Sequence, residues 1–565
     1  MRASRQMALL DVPRPMTEWI PDPDGEHGEV FTRRWVVDLM LDLIGYVPEA
    51  DLGAKVIVEP SCGCGAFLLP IVERLVESCR RHDRDLSEIV SAVCAFDLLE
   101  RNAEVTRKAV LVKLLEAGAT IETAEQLAGA WITTGDFLLA SHVSGSADYV
   151  VGNPPYIRLE GVPAEISAAY RAECRTMRGR ADIYVGFYEK GLELLGPEGQ
   201  LAFICADRWM RNQYGGHLRK LVSDSYAMDS VIVMHDVDAF EDEVSAYPAI
   251  TILRNGVQRQ SRIVEAHASF DEEAGARVLR WVRDEGEPPS DSESFEAVQL
   301  PGWFDGPGLW PSGSPHQLEL IADLESRFST LEDRGSGTRV GIGVATGCDD
   351  VYITAECPDI EPDRLLPLVM AGDIQNGSVE WSGRHLVNPW LDGKLVELES
   401  FPRLAAYYEA SGDRLRKRHI AKKRIESWHR TIDRVDPNLR ARPKLLMPDM
   451  KAAAHPVLDS GGHYPHHNLY FIVSDVWDLE VLGGIMLSDI ANLFVGAYCV
   501  KMRGGTYRFQ AQYLRKIRVP DPESIPASVA EALRAAFRSR DKQEATAAAS
   551  TAYGLSEHAL AAVPR

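Results

Sequence analysis

The stretch from Lys55 to Leu75 constrains the fold more than any other part of the chain. It opens with Val56-Ile57-Val58, turns through Glu59-Pro60-Ser61-Cys62-Gly63-Cys64-Gly65, and runs on into the apolar pattern of Leu68 to Leu75. A β-branched run, a glycine turn and a helix make the first unit of a doubly wound α/β sheet, where ligands lie outside the carboxyl ends of the strands. Gly63 and Gly65 let the backbone come close to such a ligand. Neither the G-x-G-x-x-G dinucleotide spacing nor the Lys-Ser/Thr of a P-loop is present, so the turn suits a different nucleoside.

Three further elements follow in order. Ala92 to Phe96 predicts a second strand ending at Asp97, an acid placed to accept from ribose hydroxyls. Trp131-Ile132-Thr133-Thr134-Gly135 leads to Asp136, an acceptor for an adenine amino group, and to Phe137, an apolar surface for its ring. Taken singly, each acid is as readily a helix cap or a loop residue; their order carries the reading. Ala147 to Val151 is then a short apolar strand that stops at Gly152-Asn153-Pro154-Pro155-Tyr156. Two prolines hold the backbone extended and remove two donors, which leaves the Pro154 carbonyl free to accept from a ligand.

This ordered set resembles the motifs of the gamma-class N6-adenine DNA methyltransferases, the TaqI-like methylases of type II restriction-modification systems. There the cofactor motifs precede the catalytic tetrapeptide and target recognition comes last. Gly28-Glu29-Val30-Phe31-Thr32 resembles the family's N-terminal motif, and Ala181 to Tyr188 and Glu198 to Ile204 resemble its later ones. The resemblance implies a Rossmann-like class I methyltransferase domain followed by a mixed α/β target-recognition domain, with S-adenosylmethionine as cofactor. It implies a cofactor site of Thr32, Glu59, Pro60, Ser61, Cys62, Gly63, Asp97, Asp136, Phe137 and Pro155. The catalytic run is Asn153-Pro154-Pro155-Tyr156, acting on an adenine flipped out of double-stranded DNA. The family places a second aromatic near the end of the strand that here reads Ala249 to Arg254, and Tyr247, Phe240 and Trp209 are the candidates. The alternatives are an N4-cytosine enzyme, an RNA or protein amine methyltransferase, and a DNA-binding scaffold without activity.

At 565 residues the chain calls for at least two domains. The expected division is a catalytic domain over 1–255, a linker over 256–300 where Glu285 to Ser294 is polar and acidic, a recognition domain over 301–523 and a helical tail over 524–565. Arg339 to Gly347, Met370 to Ile374, Asn468 to Ile472 and Gly504 to Tyr513 are weaker recognition-domain features. The net charge of −22 argues against a nucleic-acid partner only if it is evenly spread. It is not, because Arg414 to Lys444 carries twelve basic residues against acidic Glu426, Asp433 and Asp436. Arg416, Lys417, Arg418, Lys422, Lys423 and Arg424 are the expected DNA contacts.

The nine cysteines suit reduced thiols. Cys62 and Cys64 lack a second ligand pair, so no metal is expected. Without an apolar stretch of membrane-spanning length or a secretory signal, a cytoplasmic location is expected. No nuclease center is apparent, and a separate endonuclease or defense subunit is the expected partner.

Overall fold

The computed structural model describes residues 30–241, 247–284, 286–289, 291, 293–333, 335–499 and 506–564. Gly28 and Glu29 of the N-terminal motif, and Gly504 and Gly505, lie outside them. The chain divides into two compact units, Met1–Glu319 and Leu320–Arg565.

The first unit is built on a nine-stranded sheet of β1 (Ile57–Glu59), β2 (Val93–Asp97), β3 (Ile132–Thr134), β4 (Ala147–Gly152), β5 (Leu195–Ala206), β6 (Ala227–Val233), β7 (Pro248–Arg254), β8 (Ser261–Ala266) and β9 (Phe295–Leu300), in the order β3-β2-β1-β4-β5-β7-β6-β8-β9. β1, β2, β3, β4 and β5 pair in parallel, while β7 runs antiparallel between β5 and β6. This is the Rossmann-like α/β class expected. β1 pairs with β2 on one side and β4 on the other, so the strand order reverses there and a ligand crevice opens at the carboxyl edge.

Alternation along the strands fills a core on each face. Ile57, Val151, Ala202 and Ile204 point into one cluster; Val58, Val150, Leu201 and Phe203 point into the other. Both faces are apolar because helices cover both, which is why these strands read as continuous apolar runs.

The segment 256–300 is not a linker. Ser261 to Ala266 and Phe295 to Leu300 form the two outer strands at one edge of the sheet, joined by the helix Glu272–Asp284. Neither strand alternates strictly between apolar and polar residues, so no period-two signal offset the polar, acidic composition around them. Residues 301–319 also belong to the first unit rather than to a recognition domain. The buried Arg219 guanidinium holds part of this stretch by donating to the carbonyls of Pro307 (2.9 Å) and Gly308 (2.6 Å), as well as to those of Trp209 and Asn212.

The second unit contains a four-stranded antiparallel sheet in the order Arg339–Ile342, Leu469–Val473, Lys444–Pro448, Val457–Asp459. Two of the weaker recognition features therefore lie side by side, with Gly341 opposite Phe471. The tail forms the helices Ala527–Ser539, Lys542–Tyr553 and Glu557–Ala561. No single helix among the described residues is long and apolar enough to cross a membrane; the bent pair Leu479–Leu487 and Asp489–Tyr498 passes that test only jointly and is largely buried.

Lys444, counted above among the basic residues, is sealed inside this sheet and donates to Asp459 at 2.9 Å, with both side chains almost wholly buried. Burial pushes the basicity of its ammonium down, and Asp459 opposes that shift. Removing the carboxylate leaves a buried charge unpaired, so Asp459→Ala should destabilize the second unit by about 3–5 kcal/mol. Urea unfolding followed by tryptophan fluorescence checks this; an unchanged midpoint contradicts it.

Candidate functional site at the carboxyl edge of the sheet

Where β1 ends, the chain must turn sharply to enter the helix Leu68–Arg81. Gly63 (φ +49°) and Gly65 (φ +94°) take left-handed conformations that side-chain-bearing residues avoid. The turn is held from the end of β2 and from the helix Glu100–Glu116 that follows it: Asp97 Oδ2 accepts from Gly63 N at 2.8 Å, and Thr106 Oγ1 donates to the Gly63 carbonyl at 2.7 Å. Asp97 Oδ1 accepts from Leu99 N (2.9 Å) and Asn102 Nδ2 (3.3 Å). Asp97 thus clamps the loop.

Glu59, the last residue of β1, is 2% exposed, and its Oε2 has no hydrogen-bond partner. Burial, reinforced by the nearby Asp97 charge, pushes its carboxyl well above the ordinary range. Cys62 is also buried, and its thiol is pushed up for the same reason, chiefly by desolvation. It is a loop-filling side chain rather than a thiolate ligand.

The catalytic candidates leave β4 beside this loop. Ser61 Oγ donates to the Asn153 carbonyl at 3.2 Å and staples the two turns together. Asn153 Nδ2 donates to the Val30 carbonyl (3.1 Å) and to Thr32 Oγ1 (3.3 Å), which fixes the amide orientation. Its Oδ1 is buried and has no partner. No backbone hydrogen bond among the described residues ends on the Pro154 carbonyl. Tyr156 anchors its hydroxyl on the Ile204 carbonyl (3.1 Å), with the residue as a whole partly exposed.

Asp136 accepts from Leu138 N (2.9 Å) and from the Tyr170 hydroxyl (2.7 Å). Burial raises its carboxyl above the usual range, against the pull of those hydrogen bonds. Phe137 is buried, stacked on Phe187 at 5.4 Å and edge-on to Phe96 at 5.5 Å, so protein already packs much of its ring.

Among the three aromatics considered for a second ring, Trp209 is fully buried against Tyr188 and Trp310. Tyr247 is 55% exposed beside His235 and Arg208. Phe240 is buried, but its backbone bridges Thr32, the residue that touches Asn153.

Sequence reasoning missed three residues that hold the site, Asn102, Thr106 and Tyr170. Each acts on a site residue through a contact that no local pattern encodes. Thr32, expected at the cofactor, accepts from the Asn153 amide.

In the second unit the basic segment forms the short helices Gly412–Lys417 and His419–Lys423. Lys417, Lys422, Lys423 and Arg424 are exposed, with no ion pair among the described residues. Arg416 pairs with Glu409 and lies over the Trp428 ring at 4.0 Å. Arg418 departs from its expected role. Its guanidinium donates to the carbonyls of Thr346, Leu415, Trp428 and Arg430 and to the Tyr352 hydroxyl, and so is spent on the fold.

The model of the Eco57I restriction-modification methylase family matches residues 86–240, from before β2 to the residue that bridges Thr32. Over 541 residues the chain is 41% identical to the Type II methyltransferase M.XhoI of Xanthomonas vasicola, covering 95% of this chain and 98% of that one. It is 43% identical to the Type II methyltransferase M.PaeR7I of Pseudomonas aeruginosa, covering 95% and 93%. The Type II methyltransferase M.BstVI of Geobacillus stearothermophilus is 40% identical, with 88% and 91% covered. With such identity sustained over nearly the full length of all of these relatives, the chain belongs to the Type II methyltransferases of restriction-modification systems, the family whose motif order it resembles.

Proposed function

We propose that this enzyme methylates N6 of an adenine flipped out of double-stranded DNA, in the cytoplasm and alongside a separate endonuclease. The observation that carries the reading is the Asn153 side chain: its nitrogen is tied to Val30 and Thr32, and its oxygen is buried without a partner. An amide held this way is an acceptor awaiting an N–H donor, and the exocyclic amine of adenine is such a donor.

The lone pair of that amine is delocalized into the ring. Asn153 Oδ1 and the Pro154 carbonyl, accepting from its two hydrogens, localize the pair on nitrogen and aim it. Positioning and fixed dipoles carry the rate, and the product amine releases its extra proton to solvent. Tyr156, its hydroxyl anchored on Ile204, offers its ring as a stacking surface, worth about 1–3 kcal/mol per base. Phe240 is the favored second aromatic, because it bridges Thr32 and thereby adjoins Asn153.

S-adenosylmethionine, the cofactor of this family, supplies a methyl group on a cationic sulfur. The residues present fit it: the left-handed glycine turn gives close backbone approach, and the orphaned Glu59 oxygen accepts an ammonium or hydroxyl donor. Thr32, Pro60, Ser61, Cys62, Gly63, Asp97, Asp136, Phe137 and Pro155 complete the set that would hold it.

Labeled cofactor, offered with DNA, RNA and protein in separate reactions, should leave label on N6 of adenine in duplex DNA alone; label on cytosine or on protein rejects the reading. Asn153→Ala should lose about 10²–10³ in single-turnover rate, the range for removing one preorganized group. Thr32→Val, which removes the hydroxyl that accepts from Asn153 Nδ2, should lose less in the same single-turnover assay.

Glu59 links the cofactor site to pH. A carboxyl whose folded pKa is raised contributes stability below its unfolded pKa and loses it as pH rises through the folded value. Cofactor-free enzyme should therefore weaken as pH rises above the ordinary carboxylate range. Glu59→Gln should flatten that slope and raise the apo melting temperature at pH 8, yet weaken cofactor binding at least about tenfold, a loss of 1.4 kcal/mol. Calorimetry with and without cofactor reads both; a variant that binds normally excludes Glu59 from the site.

For DNA contact, replacing Lys422, Lys423 and Arg424 together by Ala should reduce the slope of log K against log salt by about 2–3, near 0.9 per phosphate contact. Fluorescence anisotropy across salt concentrations measures it, and an unchanged slope removes the segment from the interface.

A further inference from the structure

Asp349, His466 and His467 meet in the second unit although 117 residues separate the acid from the first histidine. The chain brings them together through backbone pairing. Val344 N donates to the Pro465 carbonyl (2.9 Å), and His467 N donates to the Val344 carbonyl (3.1 Å), so the histidine pair lies against the loop that leads to Asp349. Thr346 Oγ1 donates to Asp349 Oδ1 and turns the other oxygen toward His466, whose Nε2 lies 3.3 Å away. The two imidazole rings are 4.0 Å apart, and one ligand atom from each of the three residues lies within 4.8 Å of the others.

Asp349 Oδ2 and His466 Nε2 lie 3.3 Å apart, and the inner ring is almost wholly buried. His466 Nδ1 and Asn468 Oδ1 are also buried and have no hydrogen-bond partner among the described residues, so the protein leaves the polar groups around the inner ring incompletely satisfied. One carboxylate and two imidazoles gathered at one spot are the donor set of a transition-metal site.

We propose that Asp349, His466 and His467 bind a divalent transition-metal ion of the zinc type, through Asp349 Oδ2, His466 Nε2 and a ring nitrogen of His467, with the remaining coordination open to solvent. The 3.3 Å separation suits it, since two ligands each about 2.0–2.1 Å from a tetrahedral ion are about 3.3 Å apart. Two imidazoles and a carboxylate select such a metal over calcium or magnesium, which prefer all-oxygen shells. His467 and Asp349 reach solvent, which gives an ion a way in. The absence of paired cysteines, which led to the expectation of no metal, does not bear on a site made from histidines.

The site also has a structural consequence for the basic segment. Thr346, the partner of Asp349, offers its carbonyl to Arg418 Nη1 (3.0 Å) and Ile432 N (3.3 Å), and Ala345 accepts from Asp433 N (3.0 Å). An ion on Asp349 stiffens the loop that anchors the segment carrying Lys422, Lys423 and Arg424.

The test uses the full chain without an affinity tag, stripped by chelator and dialyzed. Zinc titrated by calorimetry should bind at one ion per chain, and cobalt(II) in its place should give a visible d–d band. His467→Ala and Asp349→Asn, both at exposed positions, should each weaken zinc by more than the roughly tenfold that loss of an outer-shell contact costs, while Cys357→Ser should not. Absence of stoichiometric zinc overturns the proposal, as does binding that both variants retain or that Cys357→Ser removes. Because the readout is metal occupancy rather than methyl transfer, its failure is distinct from failure of the proposed function.

Discussion

The parallel pairing of β1 with β4, Ile57 opposite Tyr149 and Val58 opposite Val150, is the constraint on which the catalytic unit depends. These strands are distant in sequence, and the crossovers to β2 and β3 on one side and to β5 on the other leave them adjacent at the center of the sheet. Two turns with different chemistry therefore emerge at the same edge, the glycine turn after Glu59 and the double-proline turn after Gly152. Ser61 then needs only one hydrogen bond to Asn153 to fix one turn against the other. Had β4 paired elsewhere, both motifs would be present in the chain and neither would form a site.

Two of the buried acceptors left without partners, Glu59 Oε2 and Asn153 Oδ1, mark a place where this fold gives up stability. An unsatisfied buried acceptor costs about 1–3 kcal/mol, more for a charged group. Glu59 and Asn153 sit on opposite sides of the switch point, one at each turn, and among strongly held neighbors. The surrounding polar groups are satisfied: both oxygens of Asp97 and both of Asp136 accept hydrogen bonds. One orphaned acceptor at each of the two motif-bearing turns, set among satisfied neighbors, is what the proposed preorganization for donors requires.

Much of the catalytic unit was legible in sequence because its motifs are local. Gly63 and Gly65 announce a turn only small residues accept, and the double proline announces an extended stop after an apolar strand. What stayed hidden was carried by long-range contact. Thr106 reaches Gly63 from 43 positions away and Tyr170 reaches Asp136 from 34. The strands Ser261–Ala266 and Phe295–Leu300 were obscured because neither alternates with a clean period of two and the acidic stretch before the second has the composition of a loop. Charge counting failed in a complementary way. Arg418 and Lys444 contribute to the formal surplus of the basic segment, yet one is consumed by five acceptors and the other is buried on Asp459. With those set aside, Lys417, Lys422, Lys423 and Arg424 remain exposed on the segment with no ion pair among the described residues.

In the first unit Val30 and Thr32 hold one end of an amide so that Asn153 Oδ1 is left bare. An amide has two chemically distinct ends, and fixing one end determines which chemistry the other presents. A carboxylate has no such handedness, and Asp97 and Asp136 serve instead to clamp the turns around it. Recognition by a neutral acceptor held in one orientation discriminates by geometry rather than by net charge. In the proposed function that property suits a chain whose overall charge of −22 repels a polyanion, because selection then needs no charge of its own.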